Sequence, residues 1–539
     1  MFGANGEGEQ YKYYWARRTN LYSTEYPQIN LTYGTQTTNS SASHWSAAGY
    51  FGRINYDWRG IWLLELNGRY DGSSRFPKND HWAFFPSLSI GYRFSEEPYF
   101  EKFKKFHINN GKLRLSYGEI GNQAVGNYMF LSTIMPISPG ATYWLDPDGN
   151  KVATLGMPTY VDPDLGWERI QTFDIGLDLG LFNDKIALTF DWYQRTTRDM
   201  LAPGQAMPGT LGTNAPYTNS GSLRTRGWEL SLTLRHKFGE WDSYATFNLS
   251  DATTKVTKWN DDSRLLNSYY SGMNYGDIWG FETERYFTEN DFNSDGSYKE
   301  GIASQEGLEQ GDFHYGPGDI KFKDLDNDGV IDGGKGTAEN HGDLKVIGNY
   351  LPRYEYSFHL GTAWRGFDID CFFQGVGKRS QWTQSAFVMP FMRGADAIYD
   401  NQTRYNYYDY ENNTYHINQN NDYPRMYPGN SDYGTISVLQ RGNHNFYPQT
   451  RYLVNMAYLR FKNITIGYTL PTEWVKKAYL SKVRLYFSAS NICNIIKKSK
   501  YPIDPEINTS EGASDLANGT WGRVAPMTRT ISFGLQTTF

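Results

Sequence analysis

The stretch MTRTISFGLQTTF, Met527 to Phe539, places apolar side chains at Ile531, Phe533, Leu535 and Phe539, with small or polar residues between them. Alternation with period two describes a strand with one apolar face and one wet face. A strand that runs to a final aromatic residue suits the closing strand of an outer-membrane barrel. A soluble β-sandwich can also end on a strand, so the reading depends on the rest of the sequence.

The same period recurs upstream. Tyr56 and Trp58 lead through Arg59-Gly60 to Trp62, Leu64, Leu66 and Tyr70. Phe173, Ile175, Leu177, Leu179 and Leu181 turn near Phe182 to Lys185, and Ile186, Leu188, Phe190 and Trp192 return. Tyr354 to Trp364 meets Arg365-Gly366, and Phe367, Ile369, Cys371 and Phe373 follow. Counted this way, roughly 14 strands are predicted. Their connections alternate in length. Short ones lie near 59–60, 182–185, 238–241, 365–366 and 470–481; long ones span about 119–168, 198–222, 259–352, 378–451 and 492–527. Short turns at one end and long loops at the other form the outer-membrane pattern, with turns in the periplasm and loops outside the cell. Segment 95–111 is the exception, being longer than a tight turn yet falling on the short side. The rival for the apolar stripes is a core between two stacked sheets. Strands of ten or more residues with aromatics near their ends favour lipid-facing strands with interfacial girdles.

Composition agrees with a barrel. The 539 residues include 43 Tyr, 31 Phe, 16 Trp and 54 Gly, yet mean hydropathy is −0.64. No run approaches the roughly 18 apolar residues of a spanning helix. A barrel escapes that test, because only every second residue faces lipid. The net charge of −6 argues against nucleic acid as a partner. Cys371 and Cys493 are too few and too far apart to imply a disulfide framework. The first ten residues, MFGANGEGEQ, have neither a basic n-region nor an apolar h-region, so no signal peptide is expected there.

Chemistry-bearing motifs are few. In DLDNDGVID, Asp324, Asp326, Asp328 and Asp332 alternate, Gly329 allows a bend, and the Val330 carbonyl can add a ligand. These five positions are predicted to hold calcium, as in positions one to nine of a calcium loop. Position twelve would need a bidentate Glu and is Lys335, so the set is incomplete unless Asp319, Glu339 or Asp343 folds back. The plain alternative is a solvated acidic turn. A weaker copy at Asp291, Asn293, Asp295 and Gly296 has Lys299 at its ninth position and reads better as an Asx-rich turn. Asp146-Pro147-Asp148-Gly149 reads as a turn. Tyr405, Tyr407, Tyr408 and Tyr410, among Asn residues, are candidates for sugar or peptide contact; the alternative is a loop packed on its own aromatics. No nucleophile–base constellation, GxSxG, HExxH or P-loop is present, so no catalytic residue is expected.

Several segments together resemble the barrel of SusC/RagA-type TonB-dependent transporters. They are YFGRINYDWRGIWLLELNGRYDGSSRF (Tyr50 to Phe76), WAFFPSLSIGYRFSEEPYF (Trp82 to Phe100), LRLSYGEIGNQ (Leu113 to Gln123), LGWERIQTFDIGLDLGLFNDKIALTFDWYQR (Leu165 to Arg195), RGWELSL (Arg226 to Leu232) and GDIKFKDLDNDGVID (Gly318 to Asp332). The resemblance implies an all-β transmembrane antiparallel barrel of 22 strands with an amino-terminal plug, found in Bacteroidetes-type outer membranes. It implies import of oligosaccharides or peptides, a SusD-like lipoprotein lid and energy from TonB, and it allows a dimer of the transporter–lipoprotein complex. Against that pattern, plug, TonB-contact segment and about eight strands are not read here. The sequence is therefore expected to be the carboxyl-terminal barrel portion of a longer protein, with open edges that lipid does not tolerate. Two other classes remain open at this point: a passive porin or adhesin barrel, and a soluble secreted carbohydrate-binding or glycosidase β-protein.

Overall fold

The computed structural model describes residues 1–101, 107–137, 141, 143–204, 207–309, 313–383, 388–389, 405–425, 442–477, 479–506 and 527–539. Fourteen strands form one antiparallel sheet: β1 (Phe2–Arg18), β2 (Gln36–Trp58), β3 (Trp62–Ser73), β4 (Trp82–Tyr92), β5 (Ile108–Asn122), β6 (Glu168–Leu181), β7 (Ile186–Pro203), β8 (Tyr217–Phe238), β9 (Trp241–Lys258), β10 (Arg353–Trp364), β11 (Phe367–Lys378), β12 (Tyr458–Thr469), β13 (Lys482–Lys497) and β14 (Thr530–Thr538). Each strand pairs with its neighbours in sequence, which is the up-and-down meander of a barrel wall. No helix among the described residues is long and apolar enough to cross a membrane.

The short turns follow from local backbone chemistry. Arg59 and Gly60 both adopt left-handed φ, at 57° and 69°, and so do Arg365 and Gly366, at 46° and 87°. Two successive left-handed residues match the right-handed twist of paired strands, the geometry of type I′ hairpins. The second leaves Trp364 directly opposite Phe367.

Register resolves the two faces. Trp62, Tyr92, Leu113, Leu177, Phe190, Leu230, Leu249 and Tyr356 stand opposite one another in turn across eight strands. One residue along, on the other face, Gly91, Arg114, Gly176, Asp191, Glu229, Ser250 and Glu355 form a parallel row. An apolar row and a charged row one residue apart put opposite chemistry on the two faces of one sheet. The apolar residues are not covered by a second layer: Ile54 is 58% exposed and Leu113 47%. The sandwich alternative required them to be buried. On the opposite face, Arg114 pairs with Asp178 at 2.9 Å and with Asp191 at 2.8 Å. Asp368 pairs with Arg484, and Asp370 with His359 and the Tyr244 hydroxyl. Stacked aromatics mark the short-turn rim: Trp62 on Tyr92 at 4.3 Å and Trp241 on Trp364 at 5.3 Å, with Phe367 tilted on Tyr468 at 4.4 Å. Such pairs contribute about 0.5–1.5 kcal/mol beyond their area and sit where a barrel places its girdle.

Three expectations are adjusted. Strands β1 and the first half of β2 occupy residues for which no strand is predicted. The connection expected at 198–222 shrinks, because β7 runs to Pro203 and β8 starts at Tyr217. The exceptional segment opens with a short 3₁₀ turn at Phe94–Glu96, and residues 102–106 within it lie outside the described ones. Among the described residues, the outer edges of β1 and β14 pair with no further strand.

Replacing Ile175, near the middle of β6 on the apolar face, with Arg should cost on the order of 2–4 kcal/mol, the cost of a cation at mid-bilayer depth. In the full-length protein the folded, heat-modifiable gel band should be depleted. Glu229→Gln on the charged face should leave that band intact.

Candidate functional site

The long connections do not hang separately from the rim. Phe281, Phe287, Phe322 and Ile331 from the connection after β9 are buried in one cluster with Tyr405, Tyr423, Phe446 and Tyr452 from the connection after β11. Tyr501 and Ile503, after β13, complete it. Polar bonds lock the loops together. The Ile320 N–H donates to Asn445 Oδ1 at 2.7 Å, the Phe281 N–H donates to the Pro448 carbonyl at 2.8 Å, and Arg425 pairs with Asp319 at 3.1 Å. Three loops thus make a small folded unit on the long-loop side of the sheet.

The acidic loop is held to this unit. Ile331 is fully buried, and its N–H donates to the Ser304 carbonyl at 2.7 Å, while the Ser304 N–H donates to the Gly329 carbonyl at 2.9 Å. Asn327 and Gly329 take left-handed φ, at 63° and 85°, which bends the chain back on itself. The Asp324 carboxylate accepts from the N–H groups of Asn327 (2.6 Å) and Gly329 (3.0 Å). Asp343 does fold back: buried, it accepts from the N–H groups of Leu325 (2.6 Å) and Asp332 (3.0 Å). Carboxylate oxygens of Asp324, Asp326 and Asp343 come within 4.8 Å of one another. Burial first, and then the charges of Asp326 and Asp324, push the Asp343 carboxyl above its ordinary range. Three clustered carboxylate oxygens are the donor chemistry of a hard divalent cation.

Not all five expected ligands converge. Asp328 and Asp332 contribute no oxygen to the cluster; Asp328 accepts from the Val330 N–H at 2.8 Å and Asp332 from the Gly334 N–H at 2.7 Å. Val330 is exposed. Of the other conditional ligands, Asp319 is engaged by Arg425 and Asn445, and Glu339 by Arg264. The weaker copy is a turn. Asp291 is tied to Arg285 at 2.6 Å and to Thr288; these partners hold its carboxyl down to about 2 against the opposing effect of burial. Asp295 accepts from the Ser297 N–H. Asp146 likewise accepts from the N–H groups of Asp148 and Asn150.

The four tyrosines separate. Tyr405 is buried in the loop core and stacked on Tyr423 at 4.9 Å, so it is a packing residue closed to ligand. Tyr407 and Tyr408 belong to the hairpin Tyr407–Asp409 with Thr414–His416. Tyr407 stacks on His416 at 4.5 Å, and Tyr408 packs against Tyr415 and Tyr410. Only Tyr410 is largely exposed, at 77%.

Comparison with known proteins fits this geometry. Residues 2–492 match the family model described as TonB dependent receptor-like, beta-barrel. The chain is 28% identical over 509 residues to TonB-dependent receptor P3 of Formosa agariphila, covering 91% of this chain and 45% of that protein. It is 26% identical over 474 residues to TonB-dependent receptor SusC of Bacteroides thetaiotaomicron, covering 86% of this chain and 42% of that protein. In fold it is similar to the RagAB peptide transporter, with a TM-score of 0.71 at 20% identity, covering 99% of this chain and 53% of the other. The chain thus spans about half the length of the curated relatives it matches. Its sequence and fold place it in the outer membrane, and it belongs to the TonB-dependent receptor-like β-barrel family.

Proposed function

We propose that this chain forms part of the wall and outer loops of a TonB-dependent importer of oligosaccharides or peptides. The observation that carries the reading is the pairing of a two-faced barrel sheet with an organised loop unit on one side only. A passive pore needs the first; a lidded importer needs both. A sheet in hydrocarbon must have every backbone group paired, so strands beyond β1–β14 close the wall, and a plug fills its lumen. The loop unit serves as the seat for a SusD-like surface lipoprotein, and TonB supplies energy through the plug.

Coupling separates this reading from a passive porin. In cells expressing the full-length protein, uptake of oligosaccharide or peptide should stop when a protonophore collapses the inner-membrane gradient. Uptake that continues unchanged would support a pore instead.

The loop cluster fits a stiffening role for calcium, with Asp324, Asp326 and Asp343 as side-chain ligands and the Val330 carbonyl within the same bend. Asp343 is charged at neutral pH only at a cost, because its folded pKa is raised. Stability from this group is full below its unfolded pKa and is lost as pH rises through the raised value. A cation takes the place of the proton. With chelator present, proteolysis of the 324–343 loop should therefore quicken as pH rises above the ordinary carboxylate range. About 1 mM calcium, the range of extracellular sites, should remove that dependence, and Asp326→Asn should abolish the protection. Equal cleavage with and without calcium would exclude the cation.

A further inference from the structure

Where β7, β8, β9 and β10 end on the long-loop side, the loops leave a cavity of about 950 Å³. Trp259, Tyr269 and Tyr350 line it with Asp261, Asp262 and Asp277. These aromatics belong to one cluster, joined through Tyr275, which is not itself part of the lining. Trp259 meets Tyr269 edge-on at 5.1 Å, Tyr269 stacks on Tyr275 at 5.4 Å, and Tyr275 meets Tyr350 at 6.0 Å. Among the described residues no Lys, Arg or His lines the cavity, whereas three carboxylates do. Arg264, next to this acidic run in sequence, pairs with Glu339 and lies over the Tyr270 ring, outside the lining.

The three carboxylates differ in their commitments. Asp261 accepts from the Ser263 N–H at 2.9 Å, and Asp277 accepts from Asn349 Nδ2 at 2.9 Å. Asp262 is exposed and has no partner among the described residues. An uncompensated negative field beside aromatic faces favours a cation, because ring quadrupole and carboxylates attract it together. A neutral sugar can stack on the same rings but gains nothing from the field. The volume admits a whole short peptide segment rather than one ion.

We infer that this cavity is a binding site for the guanidinium or ammonium side chain of a basic peptide at the outer mouth of the transporter. Trp259 supplies the face and Asp262 the free charge. The inference rests on the importer reading for its meaning in uptake, where the cavity would bias the cargo toward basic peptides. Binding itself is measurable without transport.

The test is calorimetric titration of the full-length transporter in detergent with Ala-Arg-Ala, Ala-Gln-Ala, glucosamine and glucose. Ala-Arg-Ala should bind, and more weakly as salt rises toward a Debye length of about 3 Å at 1 M. Asp262→Asn and Trp259→Ala should each weaken it roughly fivefold or more. Asp262 is exposed, so its variant should keep the heat-modifiable band even where the tryptophan variant does not. Equal binding of Ala-Gln-Ala or glucose, binding of glucosamine alone, no binding at all, or an unchanged affinity in Asp262→Asn would each overturn the inference. A failure here with protonophore-sensitive uptake intact would remove the cavity's role and leave the importer reading standing.

Discussion

Hydrocarbon offers no hydrogen bonds, so each backbone N–H and C=O that enters it must already be paired. Everything in this chain answers to that constraint. Fourteen strands satisfy one another laterally in strict sequence order. The lateral pairing frees side chains to differ on the two faces, and they do. The row from Trp62 to Tyr356 is apolar, and the row from Arg114 to Glu355 carries charge. The low mean hydropathy averages the apolar face with the charged face and the long polar loops, so it does not argue against a barrel.

The same constraint sorts the connections. A turn of two left-handed residues, as at Arg365-Gly366, keeps adjacent strands in register with almost no unpaired backbone. The long connections must satisfy their own backbone, and they do so by folding together. Gln305 illustrates the cost of burying a loop: fully enclosed, it donates to the Ile320 carbonyl and accepts from the Phe322 N–H. Asp319 does similar work between Arg425 and Asn445. Buried polar side chains here replace the sheet ladder that loops lack.

Legibility in the sequence tracked the hydrophobic period. From Tyr56 onward the apolar residues alternate cleanly, and the strands, the turns at 59–60 and 365–366 and the sorting of loops all followed from that. Strand β1 was illegible because its first half, Gly3 to Gln10, is rich in Gly and Glu and carries no apolar alternation, and the aromatics at Tyr11, Tyr13 and Trp15 make too short a run; it is specified by its pairing with β2, which a single segment does not display. The acidic loop was legible as a motif, but its third clustered carboxylate, Asp343, was visible only as one of three options, since a buried bond to Leu325 decides it. A Tyr-rich run does not say which ring is inside: Tyr405 is buried and Tyr410 exposed, five residues apart, because only the first meets Tyr423. The Trp259–Asp262 cavity gave no sequence signal, as it exists only where four strand ends meet.

The central claim is that one face of this sheet meets lipid and the other meets a watery lumen. Nitroxide labels placed singly at 113, 175, 177, 191 and 229 of the full-length protein in bilayers, with Cys371 and Cys493 replaced, test it directly through collision with oxygen and with a polar nickel complex. The account predicts that labels at 113, 175 and 177 collide with oxygen and are shielded from nickel, with the reverse at 191 and 229. Equal shielding of both sets from both quenchers would place the apolar row inside a packed core and contradict the account.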